Sequence, residues 1–502
     1  MNKKPLAAIC VFFVIGILLA ACLPNLLSLI SAFTITLIFI LATVIFLRFH
    51  KISVIFLVLS ISSLGSLLYL NSNIYPSNHI SYFLGKDRLK AEIIGIIKSP
   101  VEARVVYYGK ISSRYIFELE SIDNLKINGL ALVRIETEMN HQYGDRLLIK
   151  GTIRKPIEIT NYPSTLLRTD KSQFTNKFRL PNDQNNKYSK KTNFNYKKYL
   201  ENQNIFAIIN ASEKNVTLLS HNYKSNLIIR YAYFVREKLK NMFLEKMPLE
   251  SGAFLRAILL GDRSELPKKL NESFRNSGTM HILAISGLNV ALIAAAFLYF
   301  FRLIRLKRKI SYALTMLFLI FLMLLTGSSA SVVRATVMCI VFLTGILLGK
   351  QVDGYNSLGT AAFFILVANP KDIFNIGFQL SFIAVLSMIY ITPKLMQLVK
   401  KEWNFYIRKY LIEPFMVSIS ATLGTFPFIL YYFRMVTPIA IFSNILIVPL
   451  MFILMIGGMC FIALGWIPFI GGFIAYFNNI LANIIFFSAE FFAGVKFGHF
   501  NI

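Results

Sequence analysis

The chain has 502 residues, of which 55% are hydrophobic and only 16% charged, with a mean hydropathy of +0.58. Soluble chains carry about 25% charged residues, so a string of soluble domains is excluded, as is disorder over most of the length. The 53 Lys and Arg against 25 Asp and Glu leave a net charge of +28, which points to anionic lipid, a polyanionic ligand or both.

Three apolar runs open the chain, at 6–23, 27–47 and 52–70. Each is long enough to cross about 30 Å of hydrocarbon at 1.5 Å per residue. Lys3 and Lys4 precede the first run, and Arg48-Phe49-His50-Lys51 separates the second from the third. The link Leu23-Pro24-Asn25 carries no positive charge. The cytoplasmic bias of cations then places the N-terminus and 48–51 inside, and residue 71 outside. Leu19-Ala20-Ala21-Cys22 also reads as a lipoprotein cleavage site. Cleavage there leaves a mature chain that starts almost at a second span, so a first transmembrane helix is the plainer expectation.

Residues 71–225 differ in kind, with 24 basic and 14 acidic residues and no cysteine. Strands are predicted at 89–98, 103–108, 111–120, 129–137 and 145–154, with turns at Gly109, Gly129 and Gly144-Asp145. In the last, Leu147, Ile149, Gly151 and Ile153 alternate with Arg146, Leu148, Lys150, Thr152 and Arg154, the pattern of a half-buried strand with a basic outer face. Five short strands in so little chain predict a small closed barrel of the OB type. Residues 160–198, rich in Asn, Lys and Ser, read as a long loop. Residues 226–262 read as an amphipathic helical connector, on which Leu227, Arg230, Tyr231, Phe234, Lys238 and Phe243 mix apolar and basic faces. It fits either the membrane interface or a packing role on the external domain.

The membrane pattern returns with spans predicted at 279–301, 311–326, 331–349, 356–369, 376–392, 411–432, 437–464 and 469–496. Alternation from an external residue 278 places three basic loops inside: 302–309, Lys350, and 394–409. The fold class is therefore a polytopic α-helical membrane protein of about 11 spans, its C-terminus outside. It divides into N-terminal helices 1–70, an inserted external OB-like barrel 71–225, a connector 226–278 and a channel-type domain 279–502. Runs 311–326 and 356–369 are short and suit half-helices lining a cavity.

Polar groups within these spans need a reason. His281, Ser286 and Asn289 fall in one span, and Ser286 and Asn289, three apart, share a helix face. Arg334 follows Thr326-Gly327-Ser328-Ser329-Ala330-Ser331, and Gln379 and Ser381 fall in a third span. Each Ser or Gln suits interhelical hydrogen bonding. A cation such as Arg334 more often faces a cavity or a partner. These six residues are the candidate lining of a channel. His281 has no acid beside it, so no catalytic role is assigned. The four cysteines lie in apolar runs without a CxxC pair, the six histidines lack metal-binding spacing, and no GxxxxGK[ST] loop occurs. No metal, cofactor or enzymatic activity is expected.

Several ordered motifs resemble the ComEC family of competence proteins. They are Leu260-Gly261-Asp262-Arg263-Ser264, the stretch 274–288 from Phe274 to Leu288, Leu325-Thr326-Gly327 with Ser331-Val332-Val333-Arg334-Ala335, and Gly377-Phe378-Gln379-Leu380-Ser381-Phe382. Thr425-Phe426-Pro427, the stretch 443–450, and Phe194-Asn195-Tyr196-Lys197-Lys198-Tyr199-Leu200 extend the resemblance over nearly the whole chain. It implies an inner-membrane channel that passes single-stranded DNA into the cytoplasm during natural transformation. It also implies an external OB-type domain, an external DNA receptor and a cytoplasmic helicase or translocase as partners, alongside membrane lipid. Two departures stand out. The family usually has a second His where this chain has Asn289, whose amide still hydrogen-bonds. The metallo-β-lactamase-like domain of many members does not follow, so nuclease activity is not expected here.

A DNA strand is a polyanion, and OB domains grip it with basic grooves and aromatic platforms worth roughly 1–3 kcal/mol per stacked base. The candidate DNA-binding residues are Arg104, Tyr107, Tyr108, Lys110, Arg114, Tyr115, Arg146, Arg154 and Lys155. A transporter of a smaller anionic solute and a non-transporting relative are the alternatives.

Overall fold

The computed structural model describes residues 5–23, 28–85, 88–105, 111–137, 139, 141–156, 195–283, 285–350, 352–399, 404–496, 498 and 500–501. Two compact units result. One joins Met1–Pro76 to Ile285–Gly424, the other Ser77–Ala284 to Thr425–Ile502.

The three opening runs form α1 (Pro5–Cys22), α2 (Leu29–Ile45) and α3 (His50–Ser72). Ser28 caps α2 by accepting a bond from the Ser31 backbone, satisfying one of the helix's orphan N–H groups. α1 and α3 approach closely through glycine. A methyl group on Gly65 would lie 2.3 Å from the Phe13 carbonyl oxygen, and Ser66 Oγ donates to the Gly16 carbonyl at 2.7 Å. Small residues and such bonds associate helices where lipid removes the hydrophobic drive between them.

A short helix α4 (Ile80–Phe83) leads into β1 (Leu89–Ile97), β2 (Glu102–Val105), β3 (Ile111–Ile122), β4 (Leu125–Ile135) and β5 (Arg146–Arg154). Residues 106–108 of the second expected strand lie outside the described residues. After α5 (Tyr196–Asn202) come β6 (Ile205–Ala211) and β7 (Val216–Ser220). The expectation that the first five strands close among themselves is corrected. They belong to one seven-stranded sheet, and β6 lies between β4 and β5, parallel to β4 and antiparallel to β5. β1 pairs with both β3 and β5, so the pairings run β1-β3-β4-β6-β5 and back to β1. β2 adds to β3, and β7 to β5. Alternation along β5 is as read: Leu147, Ile149 and Ile153 are fully buried, in a core with Ile93, Phe117, Val133 and Ile209. Between β3 and β4, Asp123 (φ 46°) and Asn124 (φ 66°) make the two-residue, left-handed turn that suits the twist of a hairpin.

The connector is two helices, α6 (Leu227–Lys246) and α7 (Leu249–Leu260), followed by α8 (Lys268–Asn276). α6 is amphipathic: Ala232, Arg236 and Phe243 are buried, while Leu227, Tyr231 and Phe234 are exposed. α7 is not, because every residue from Ser251 to Leu260 is buried.

The remaining helices are α9 (Gly287–Leu303), α10 (Arg308–Leu325), α11 (Ala330–Leu347), α12 (Gly354–Ala368), α13 (Ile376–Gln397), the turn α14 (Phe405–Ile407), α15 (Glu413–Phe433), α16 (Ala440–Leu464) and α17 (Ile470–Ala493). β8 (Met435–Val436) pairs with β9 (Phe500–Asn501). Among the described residues, nine helices are long and apolar enough to cross a membrane, and two shorter apolar ones are α9 and α12. Each of the eleven apolar runs thus holds a helix. The run expected at 279–301 is helical only from Gly287. The run at 311–326 belongs to a helix of 18 residues, long enough to cross.

In the first unit, α1 packs on α12, where Ala362, Ile365 and Leu366 meet Phe13 and Ile17. In the second, α7 lies against α16 and α17. A methyl on Gly458 would come within 2.7 Å of Leu255 and Leu259, and the Phe254 ring meets Phe486 edge-on at 5.0 Å.

Candidate functional site

In the first unit two of the candidate channel residues, Arg334 and Gln379, meet at one polar turn. Arg334 is buried, 7% exposed, one turn into α11. Between α12 and α13 the chain makes a 3-10 turn over Pro370–Phe374. Asn369 starts it, accepting from the Lys371 backbone and donating from Nδ2 to Asp372 Oδ1 at 3.2 Å. Asn375 then caps α13 by accepting from the Gly377 backbone at 2.9 Å. Gln379 Nε2 donates to the Ile373 carbonyl at 2.9 Å. Arg334 reaches the same turn. A methyl on Gly377 would lie 3.3 Å from Arg334 Nη2, 3.6 Å from Nη1 and 3.3 Å from Asn375 Oδ1. Glycine there leaves the guanidinium its seat. Burial pushes the Asp372 carboxyl above the usual carboxylate range, and the positive charge of Arg334 opposes that push. Lys371, also 7% exposed, directs its Nζ to the Tyr75 hydroxyl and ring.

Ser286 and Asn289 do meet, but as a helix cap. Ser286 Oγ accepts from the Asn289 backbone at 3.3 Å and donates to Asn289 Oδ1 at 3.1 Å. The shared face expected between them is therefore a start of α9, and it adjoins α11, since a methyl on Gly287 would lie 3.8 Å from Ala335 Cβ. Ser381 is half-buried on α13. His281 lies outside α9, on the turn Met280–Ile282 of the second unit. Asn369, Lys371, Asp372 and Asn375 were missed in the sequence, although a polar run between two apolar ones was there to be read.

On the sheet, the DNA-binding candidates scatter. Tyr107, Tyr108 and Lys110 lie outside the described residues, and Arg104 is on β2. Tyr115 is corrected: it is 2% exposed in the sheet core, where burial pushes its hydroxyl up, so it packs rather than offering a platform. Arg114 is half-buried on the outer face, opposite Glu102 on β2 and Arg134 on β4. Arg134, missed in the sequence, is buried and donates from Nη2 to the Tyr196 hydroxyl of α5 at 3.2 Å. Arg146 binds Glu120 at 2.7 Å. Arg154 and Lys155 are half-buried at the end of β5.

The second unit holds a buried ion network that the sequence reading passed over. Arg256 is 1% exposed on α7 and reaches Asp262 at 2.5 Å and Glu265 at 2.8 Å. Gly261, at φ 74°, turns the chain back so that residues six apart meet. Ser264 Oγ donates to Asp262 Oδ1 at 2.6 Å, and Lys240 Nζ lies 3.6 Å from Asp262 Oδ2. Burial alone would push the Asp262 carboxyl up. Lys240, Arg256 and Ser264 together hold it well below the usual range.

Many apolar helices and an inserted sheet define a multi-pass helical membrane protein with a folded polar domain. Residues 258–502 match the model of the Competence protein family. It is 29% identical over 262 residues to ComE operon protein 3 of Bacillus subtilis (strain 168), covering 51% of this chain and 31% of that protein. It is 29% identical over 221 residues to an uncharacterized protein of Aquifex aeolicus (strain VF5), covering 43% of this chain and 49% of that one. The match thus spans less than half of either relative's length. No solved structure matches the chain.

Proposed function

We propose that this protein acts in DNA uptake during natural transformation, as the channel that admits a single strand across the bacterial inner membrane. The observation that carries this reading is Arg334, a buried guanidinium in an otherwise apolar helix, set against a turn of amides and charged groups. An intramembrane cation is expensive and marks a pathway for charge. A strand's phosphates supply the opposite charge at every step. The sheet domain is external in this reading. We take the outer row of β3 and β4 as the face that meets the strand. Arg114 and Arg134 pair across β3 and β4 on that face. An external receptor hands the strand on, and a cytoplasmic translocase draws it in.

The test is uptake of end-labelled duplex DNA into cells with and without the gene, with cytoplasmic and surface label scored separately. Surface binding without cytoplasmic entry in the deletion is the expected result. Equal entry in both strains removes the channel reading and leaves a carrier of smaller anions as the leading one.

A further inference from the structure

We propose that the turn 141–145 and the link 221–226 form a pH-sensitive latch, which holds the sheet domain on α6 near neutral pH and releases it in acid when His141 takes up a proton. The latch rests on the fold alone and stands apart from the DNA-uptake reading.

Three consecutive residues before β5 meet the chain that runs from β7 into α6. The buried Tyr143 ring packs edge-on against Tyr233 of α6 at 5.3 Å. Gly144, at φ 87°, lies so close to the link that a methyl on it would come within 2.6 Å of Ser225 Cβ and 3.5 Å of Asn222 Cα. The buried Asp145 accepts from the Gln142 backbone at 2.8 Å through Oδ2 and from His221 Nδ1 at 3.1 Å through Oδ1. The link is itself strained. Asn222 (φ 55°) and Lys224 (φ 48°) both take left-handed backbone, which persists only where surrounding contacts hold it. The far end of α6 is fixed elsewhere: Phe243 packs on Phe461 of α16 at 5.4 Å, and Lys246 Nζ donates to the Gly465 carbonyl at 2.7 Å. The 20 residues of α6 span about 30 Å. The latch therefore sets how the sheet sits at one end of a rod whose other end is anchored on α16.

Histidine is the side chain whose ordinary pKa puts its change of charge between about pH 5 and 8. His141 is half-buried beside both Asp145 and His221. Burial pushes its imidazole below the usual range, Asp145 opposes that push, and the charge of a protonated His221 adds to it. The latched form therefore takes a proton at His141 less readily than a released form in which the ring meets water, so falling pH favours release. A proton on His221 keeps its bond to Asp145. The second proton, on His141, sets two cations against a single carboxylate. The other titratable and charged groups on the packed elements are Tyr143, Tyr233 with Arg236 beside it, Lys98 paired with Glu118, and Arg146 and Lys224, which share Glu120. Burial pushes the Tyr233 hydroxyl up to about 12. The Tyr, Arg, Lys and Glu side-chain types ordinarily change charge outside the range from about pH 5.5 to 7.5, which leaves the imidazoles to set the response.

The experiment is hydrogen–deuterium exchange on the full-length protein in lipid nanodiscs at about pH 7.5 and 5.5, on either side of histidine's ordinary pKa. Rates are corrected for the intrinsic effect of pH, and each variant is also unfolded thermally. Segments 141–146 and 221–226 are expected to lose protection together at the lower pH while β4 keeps its own. His141→Gln cannot take the proton and is expected to hold both segments protected at either pH. His221→Ala gives up the bond to Asp145 and is expected to exchange faster in both segments already at the higher pH. A merely structural His141 predicts instead that His141→Gln loosens both segments at the higher pH and leaves the acid loss in place, and that result overturns the latch. So does a natural protein whose two segments exchange alike at both pH values, or one in which β4 opens with them, since the whole sheet is then unfolding. His221→Ala as well protected as the natural protein overturns the bond to Asp145 as the closure.

Discussion

Arg256 and Arg334 are both buried guanidinium groups on apolar helices, and the protein treats them differently. Arg256 is closed off by two carboxylates, with a third hydrogen bond to Ser264 at 3.5 Å. Arg334 is seated against Gly377 and the Asn375 amide, with the Asp372 carboxyl held towards its neutral form by burial. Buried ion pairs hold a fold in one arrangement, since removing one partner strands the others. In the proposed reading, the contrast separates a residue that maintains structure from one set for transport.

Arg256→Ala gives the largest expected effect on stability. It strands Asp262 and Glu265 and costs about 3–5 kcal/mol, read as a fall in membrane abundance and in the thermal midpoint of solubilised protein. Arg334→Ala is expected to reduce cytoplasmic DNA entry at least tenfold while abundance stays within about twofold, because the groups around its guanidinium include the Asn375 amide and an Asp372 carboxyl that burial already pushes towards its neutral form. If abundance falls as far as with Arg256→Ala, the comparison breaks and Arg334 is structural. Gly377→Ala sharpens it. The added methyl meets the guanidinium at 3.3 Å, so entry falls by less than in Arg334→Ala and abundance is unchanged.

The smallest expected effect is in pH. The Asp262 carboxyl is depressed in the folded state, against an unfolded value of about 3.9. The stability it contributes is therefore fully present above that value and is lost as pH falls towards the folded one. Thermal midpoints measured from pH 8 downward are expected to hold level through neutrality and fall only in the acid range. Asp262→Asn, less stable throughout, is expected to lose part of that acid fall.

Much of this was legible because the signals are local. Apolar length gave a helix in each of eleven runs, and period-two alternation gave the buried face of β5 through Leu147, Ile149 and Ile153. What escaped depends on partners far along the chain. Ile205-Phe206-Ala207-Ile208-Ile209 is an apolar run, but nothing near it says that it pairs between β4 and β5. α7 carries Glu250 and Arg256 and so reads as amphipathic, until α6, α16 and α17 pack against it. Ser286-Gly287-Leu288-Asn289 is a capping pattern, read as a helix interior because apolar residues continue on both sides. Tyr115 differs from a surface tyrosine only in its phase along β3.

The position of β6 has a consequence for biosynthesis. Fifty residues, 155–204, separate the end of β5 at Arg154 from the start of β6 at Ile205. A nascent chain emerging from the ribosome therefore presents β4 and β5 with unpaired edges until that stretch has followed. Open strand edges are templates for wrong partners, and contacts distant in sequence form late. The sheet commits only as α6 is being made, which ties maturation of the polar domain to delivery of the membrane helices that come next.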